Sequence, residues 1–117
     1  MNKLIPLQFY KCLADDTRLK AILLIHRETE LCVCELTEAL QLSQPKVSRH
    51  LAQLRACGLL ADRKEGQWVY YRLNPELPEW VTEIVELTSK SNDDFMLDAA
   101  SGLAGMSDRP QSKQRCC

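Results

Sequence analysis

The sequence predicts a mainly α fold carrying one small β-hairpin, an α+β arrangement in which helices dominate. Three observations lead there. Apolar residues recur at helical spacing through most of residues 5–54 and again after Pro78. A helix-start signal at Ser43 follows a short amphipathic stretch across the tight link Gln41-Leu42. Beyond Gly58, the aromatic and β-branched run 68–73 can pair back on 59–63.

Taken in order, residues 5–14 form a first helix that turns Leu4, Leu7, Cys12 and Leu13 toward an apolar surface. Asp15 or Asp16 caps a second helix over 17–27. Its Leu19, Ile22, Leu23 and Ile25 make it nearly apolar all round, as the central core element would be. Residues 28–30 are a loop, and a third helix begins around 32–35 with Leu36, Ala39 and Leu40 as its apolar side. Ser43 then caps a fourth helix, with Pro45 in the first turn where its missing N–H does no damage. Val47, Leu51 and Leu54 give that helix one buried stripe. Gln44, Lys46, Ser48, Arg49 and Gln53 give it a polar, basic outer face.

Two helices so joined, the second with donors on its outer face, are what a helix-turn-helix needs. Gly58 ends the second helix as a C′ residue. Strands over 59–63 and 68–73, joined by a Lys64-Glu65-Gly66-Gln67 turn, add a basic hairpin directly after it, which is the wing of a winged helix-turn-helix. Asn74 to Pro78 break the chain. A final helix then carries Trp80, Val81, Ile84, Val85 and Leu87, more apolar surface than a lone winged domain has core to cover. Pairing it with the first helix and their copies in a second subunit predicts a symmetric homodimer through 5–14 and 78–89. The domain is thus set at 1–89, followed by an extension over 90–117, partly helical and then a polar, disordered stretch ending on Cys116 and Cys117.

The net charge is −1, but its distribution decides more than its sum. Residues 43–73 carry six bases (Lys46, Arg49, Arg55, Arg63, Lys64, Arg72) against Asp62 and Glu65, a local excess of four positive charges. A basic patch in an otherwise acidic chain is an electrostatic footprint for double-stranded DNA. The expected contacts are Gln44, Lys46, Ser48, Arg49 and Gln53 in the major groove and Arg63, Lys64 and Gln67 on the backbone or in the minor groove. His50, on the same helix, belongs to DNA or to packing rather than to a metal. No apolar run approaches a membrane span and no signal peptide is visible, so a cytoplasmic protein without membrane contact is expected. There, six cysteines are thiols, metal ligands or redox groups rather than structural disulfides. The phosphate-cradling glycine loop, nucleophile elbow and paired carboxylates of common enzymes are missing, and no organic cofactor is implied.

The runs 30–36, 43–51, 58–60 and 62–73, with Leu13-Ala14-Asp15-Asp16-Thr17-Arg18-Leu19 near the start, resemble the ArsR/SmtB family of winged-helix metalloregulators, most closely its arsenite-responsive repressors. The resemblance covers residues 5–88. It implies a dimer built from the first and last helices. It also implies repression of an arsenic-resistance operon, relieved when As(III) or Sb(III) binds Cys32 and Cys34 as thiolates. Without it, Cys32 and Cys34 would read as small hydrophobes at a helix start. On an intact helix residues i and i+2 diverge, so ligation by both needs a distorted helix start.

Sensors of this kind often carry a third cysteine three residues after the second. Here that position is Thr37, so a third sulfur would come from Cys116, Cys117 or an exogenous thiol. Cys12 and Cys57, near apolar helical faces, are expected in the core. The family's zinc sites need histidine on the last helix, and no His follows His50. The alternative is a repressor of the same fold that answers thiol oxidation or soft cations such as cadmium and lead. Disulfides between residues adjacent or two apart are strained, which disfavours the first, and a longer cysteine-bearing N-terminal arm would be needed for the second.

Overall fold

The computed structural model describes residues 5–105, which form six helices and a three-stranded antiparallel sheet around helix α2 (Asp16–Glu28). Asp15 caps α2. Its carboxylate accepts from the Arg18 backbone N–H at 3.0 Å, and this bond holds the Asp15 carboxyl below its ordinary value. Ala21, Ile22, Leu23, Leu24 and Ile25 are all buried, and five successive positions at 100° steps leave that part of the helix no solvent face. Packed against it are α1 (Pro6–Leu13), α3 (Val33–Leu40), α4 (Gln44–Ala56), α5 (Glu79–Lys90), α6 (Asp93–Ala104) and strand β3 (Trp68–Leu73).

Helix α1 packs differently from the expected pattern. Its one fully buried residue is Phe9, whose ring meets Tyr10 and Trp80 edge-on at 4.9 and 5.2 Å, while Leu7 is 64% exposed. Leu4 lies outside the described residues. Phe9 takes the inward position because α1 is anchored through the α5 residue Trp80, which leaves Ile5, Leu7 and Tyr10 outward.

The helix-turn-helix follows from local chemistry. Gln41 takes a left-handed conformation (φ 56°) after α3, and its N–H returns to the Thr37 carbonyl at 3.0 Å. Ser43 Oγ then accepts from Lys46 N–H at 3.4 Å and starts α4, with Val47, Leu51 and Leu54 buried as the spacing requires. The end of α4 is a Schellman closure. Gly58, at φ +92°, donates to Arg55 O at 3.0 Å, and Leu59 donates to Leu54 O at 3.0 Å.

The sheet order is β1-β3-β2, with β1 (Leu31–Cys32) and β2 (Leu60–Glu65) on either side of β3. Strand β2 runs past the expected Arg63, because Lys64 and Glu65 still pair with Val69 and Trp68. The turn therefore shortens to Gly66-Gln67, with positive φ only at Gly66, the pattern of a type II′ hairpin. The third strand, β1, is two residues long, too short to leave a pattern in the sequence.

The core also continues past residue 89, where the domain was expected to end. Met96, Ala99 and Leu103 of α6 are buried in the same cluster as α2. At Gly102 a Cβ would stand 3.0 Å from the Ala39 carbonyl oxygen, so α6 touches α3 backbone to backbone. Arg27 ties the corner: it donates to Ser89 Oγ at 2.8 Å, Ser89 O at 2.9 Å and Asp93 Oδ1 at 3.0 Å. The polar stretch 107–115 and Cys116 and Cys117 lie outside the described residues. Met96→Ala should therefore lower the unfolding free energy by about 2–5 kcal/mol, the cost of a cavity in a packed core. Urea denaturation checks this, and an unchanged midpoint would mean that α6 is an appendage.

Candidate nucleic-acid interface and thiol site

On α4, Gln44, Lys46, Arg49 and Gln53 are exposed and Ser48 and His50 half-buried. Two of these are held from behind. Arg18 of α2 donates to Gln53 Oε1 at 2.9 Å and lies 3.4 Å from His50 Nδ1, and the Arg18 Nε–H donates to the Cys12 carbonyl at 2.6 Å. Asp15 Oδ2 stands 3.8 Å from the same His50 nitrogen. Gln53 and His50 therefore fasten the recognition helix to the start of α2, and Gln44, Lys46 and Arg49 form the open end.

On the wing, Lys64 and Gln67 are exposed. Arg63 is engaged instead. It donates to both oxygens of Glu30 at 2.8 Å and to Glu65 at 2.6 Å, and its guanidinium lies 4.5 Å from the centre of the Tyr70 ring. The Arg63 hydrogen bonds hold the Glu30 carboxyl below its usual range. Sequence composition counted Arg63 as a positive charge offered to DNA. Its position opposite Tyr70 in the ladder places it against two carboxylates.

Cys32 and Cys34 are both buried, and their sulfurs are 2.7 Å apart. The expected obstacle, divergence of i and i+2 on a helix, does not arise. Helix α3 starts at Val33, and Cys32 is its N-cap in extended conformation (φ −89°, ψ 167°) as well as the last residue of β1. An extended residue followed by a helical one can turn both side chains to the same side. Two interactions set this geometry. The Cys32 N–H donates to Glu35 Oε1 at 2.9 Å, and Cys32 pairs with Tyr70 across the sheet. Tyr70, with Trp68 against it, closes a small apolar cluster over the sulfurs. Burial, and then negative charge on Cys32, push the Tyr70 phenol above its ordinary value.

Comparison with known proteins decides the family. Residues 15–62 match the family model described as bacterial regulatory protein, arsR family. The chain is 58% identical to the arsenic resistance transcriptional regulator ArsR1 of Pseudomonas putida, over 97% of its own length and 88% of that protein. It is 46% identical to the arsenical resistance operon repressor of Escherichia coli, over 99% of both. The chain belongs to the arsR family. Among solved structures it is similar to HlyU from Vibrio cholerae, with a TM-score of 0.66 and 36% identity over 73% of this chain and 88% of that one. The family is one of regulatory proteins, not of enzymes.

For an arsR-family chain the winged helix-turn-helix is the part legible in sequence, while the close approach of Cys32 and Cys34 is not. Glu35, fully buried, and Arg18 are functional residues that the motifs do not mark. The signal for Glu35 was present: a glutamate three residues after a helix-start residue is half of a capping box. Nothing local marks Arg18, whose partners on α4 lie 32 and 35 residues away. Thr37 Oγ1, one turn beyond Cys34, is buried and has no hydrogen-bond partner among the described residues. Among the described residues no group of three or more His, Cys, Asp and Glu could hold a metal ion. Cys12 and Cys57, expected in the core, are only half-buried, and their sulfurs are joined to each other.

Glu35→Ala would leave the Cys32 N–H buried without this acceptor, at a cost of about 1–3 kcal/mol. Glu35→Gln keeps an acceptor and should cost less. Chemical denaturation of the two variants side by side makes the test, and equal losses would show that the capping bond is not what Glu35 supplies.

Proposed function

We propose that this chain is a homodimeric repressor of an arsenic-resistance operon, released from its operator when As(III) or Sb(III) binds Cys32 and Cys34 as thiolates. The observation that carries the reading is the 2.7 Å approach of two buried sulfurs at the residue where β1 ends and α3 begins. The names of the relatives, an arsenic resistance regulator and an arsenical resistance operon repressor, support the choice of metalloid. The third position on the ion would be filled by Cys116, Cys117 or an exogenous thiol.

Chelation itself supplies the lever. With sulfur–ion bonds of about 2.3 Å and angles from right-angled to tetrahedral, two thiolates sit roughly 3.3–3.8 Å apart. That is also the range of ordinary contact between two sulfurs, so the pair is placed to chelate; one sulfur belongs to a strand of the wing sheet while the other rides on the first helix of the helix-turn-helix, and an ion held by both ties these two elements together. A ligand that favours a form unable to bind DNA weakens DNA binding by its differential affinity for the two forms. Reversing occupancy from 99:1 to 1:99 takes about 5.5 kcal/mol. One hydrogen bond supplies only about 1 kcal/mol net, so bonds of metalloid–thiolate strength are needed. Because the ligands must be deprotonated, release falls off as the pH is lowered.

The dimer reading rests on the outward apolar residues of α1 and α5, with Ile5, Leu7, Tyr10 and Leu87 each more than half exposed. Two-fold symmetry then calls for an imperfect inverted repeat in double-stranded DNA, with recognition helices about one helical turn, roughly 34 Å, apart. Gln44, Lys46, Ser48 and Arg49 read the major groove. Lys64 and Gln67 meet the backbone. Arg63 joins them only if it leaves Glu30 and Glu65. The protein works in the cytoplasm on this reading, in keeping with the absence, among the described residues, of any helix long and apolar enough to cross a membrane.

Cys32→Ser and Cys34→Ser should each bind operator like the parent and each fail to leave it on arsenite addition. A Cys34→Ser protein that leaves at the parent's arsenite concentration would place the sensor elsewhere. Arg49→Ala should lose about 1–3 kcal/mol on the operator and much less on unrelated DNA, if Arg49 makes a bidentate base contact. A uniform loss over both, in competition binding at fixed salt, would assign Arg49 to phosphate.

A further inference from the structure

The geometry points to a second thiol site: Cys12 and Cys57 form a reversible disulfide that braces the recognition helix against α1. The pair is separate from Cys32 and Cys34, and the inference stands whether or not those two bind a metalloid. Cys12 lies in α1 and Cys57 is the C-cap of α4, 45 residues apart in sequence, and the structure joins their sulfurs. Both residues are half-buried rather than sealed in the core, so small oxidants and reductants have access to the pair.

Both sulfurs lie against the last turn of α4, with Cys12 Sγ 3.9 Å from the Gln53 carbonyl oxygen and Cys57 Sγ 3.4 Å from that of Leu54. The flanking groups already hold the two helices in register. Arg18 bridges the Cys12 carbonyl and the Gln53 side chain, and the Schellman closure fixes the backbone after Cys57. Contacts that do not involve sulfur thus bring the two cysteines together.

A protein that works on DNA meets a reducing thiol pool in which disulfides are transient, so this one suits a signal rather than a permanent staple. The step balances with a peroxide as oxidant. One thiolate attacks the O–O bond, giving a sulfenic acid and hydroxide. The other sulfur then displaces the hydroxyl to form the S–S bond. In sum, two thiols and one hydrogen peroxide give one disulfide and two waters, and a dithiol reductant reverses the change. The consequence is mechanical: the helix that carries the exposed Leu7 and Tyr10 becomes covalently fixed to the helix that carries Lys46 and Arg49.

The test uses the full chain, reduced with dithiothreitol and then treated with hydrogen peroxide near one equivalent. Trypsin cuts after Lys11, Arg18, Arg55 and Arg63, so the bond appears as a single mass joining 12–18 to 56–63, distinct from any product containing Cys32, Cys34, Cys116 or Cys117. That linked mass is expected, and dithiothreitol should remove it. Because the bond closes a long loop, the oxidised protein should melt roughly 10 °C or more above the reduced one. Cys12→Ala and Cys57→Ala should each lack both the linked mass and the shift. The inference is overturned if peroxide leaves 12–18 and 56–63 unlinked in the wild-type chain, or links them with no change in Tm. Both readouts need only the wild-type protein, so a poorly folding variant would not spare the proposal.

Discussion

One hydrogen bond sets the frame on which the rest depends: the Cys32 backbone N–H donating to the buried Glu35 carboxyl at 2.9 Å. It fixes Cys32 outside helix α3 and in extended conformation, so that one residue both caps the helix and closes strand β1. From that follow the pairing of Cys32 with Tyr70, the anchoring of the wing to the body of the protein and the approach of the Cys34 sulfur. Were α3 to begin one residue earlier, β1 would lose half its length and the two sulfurs would point apart at the helical angle. Chemistry at the thiols and the position of the wing are thus properties of one junction.

The second constraint is α2. With no solvent face over residues 21–25, it fixes where every other helix can lie, and α4 is read out from it through Arg18, His50 and Gln53. The outer end of α4, at Gln44, Lys46 and Arg49, is without such ties among the described residues. A recognition helix held at its back and open at its N-terminal end suits major-groove entry, where N-terminal residues of the helix reach the bases.

What sequence could disclose divides along the same lines. The cap at Ser43, the stripe Val47, Leu51 and Leu54, and the stop at Gly58 are local chemistry and stand where the spacing put them, and of the two caps open for α2 the fold uses Asp15. Strand β1 was hidden because two residues carry no alternation, and its existence depends on β3, some 40 residues away. The same holds for Arg63, a free cation in composition and an ion-paired one in the fold, and for Cys12 and Cys57, whose approach depends on how α1 lies across the end of α4. Helix α6 falls in the extension expected to be partly helical, where Asp93, Asp94 and Asp98 dilute the apolar period. Its Met96, Ala99 and Leu103 still share one face at i, i+3 and i+7, and that face is buried.

On the proposed reading, the junction also accounts for why a small ligand can move a large partner. An ion held by the sulfurs of both Cys32 and Cys34 fixes their separation and angle, and a flexible loop would absorb that demand. Here neither sulfur sits on a flexible loop. Cys32 is held by the Glu35 carboxyl on one side and by the ladder to Tyr70 on the other, and Cys34 is in the first turn of α3. Any misfit between the ion's geometry and this junction must therefore break the cap, slip the ladder or tilt α3. A slipped ladder shifts Tyr70, over which the Arg63 guanidinium is stacked, and so loosens the Arg63–Glu30 pair that ties the wing to the loop before β1. A tilted α3 carries Gln41 and Ser43, the turn and cap that aim α4. Each route ends at a DNA-facing element within a few residues, because packed interiors shift between discrete arrangements instead of yielding smoothly.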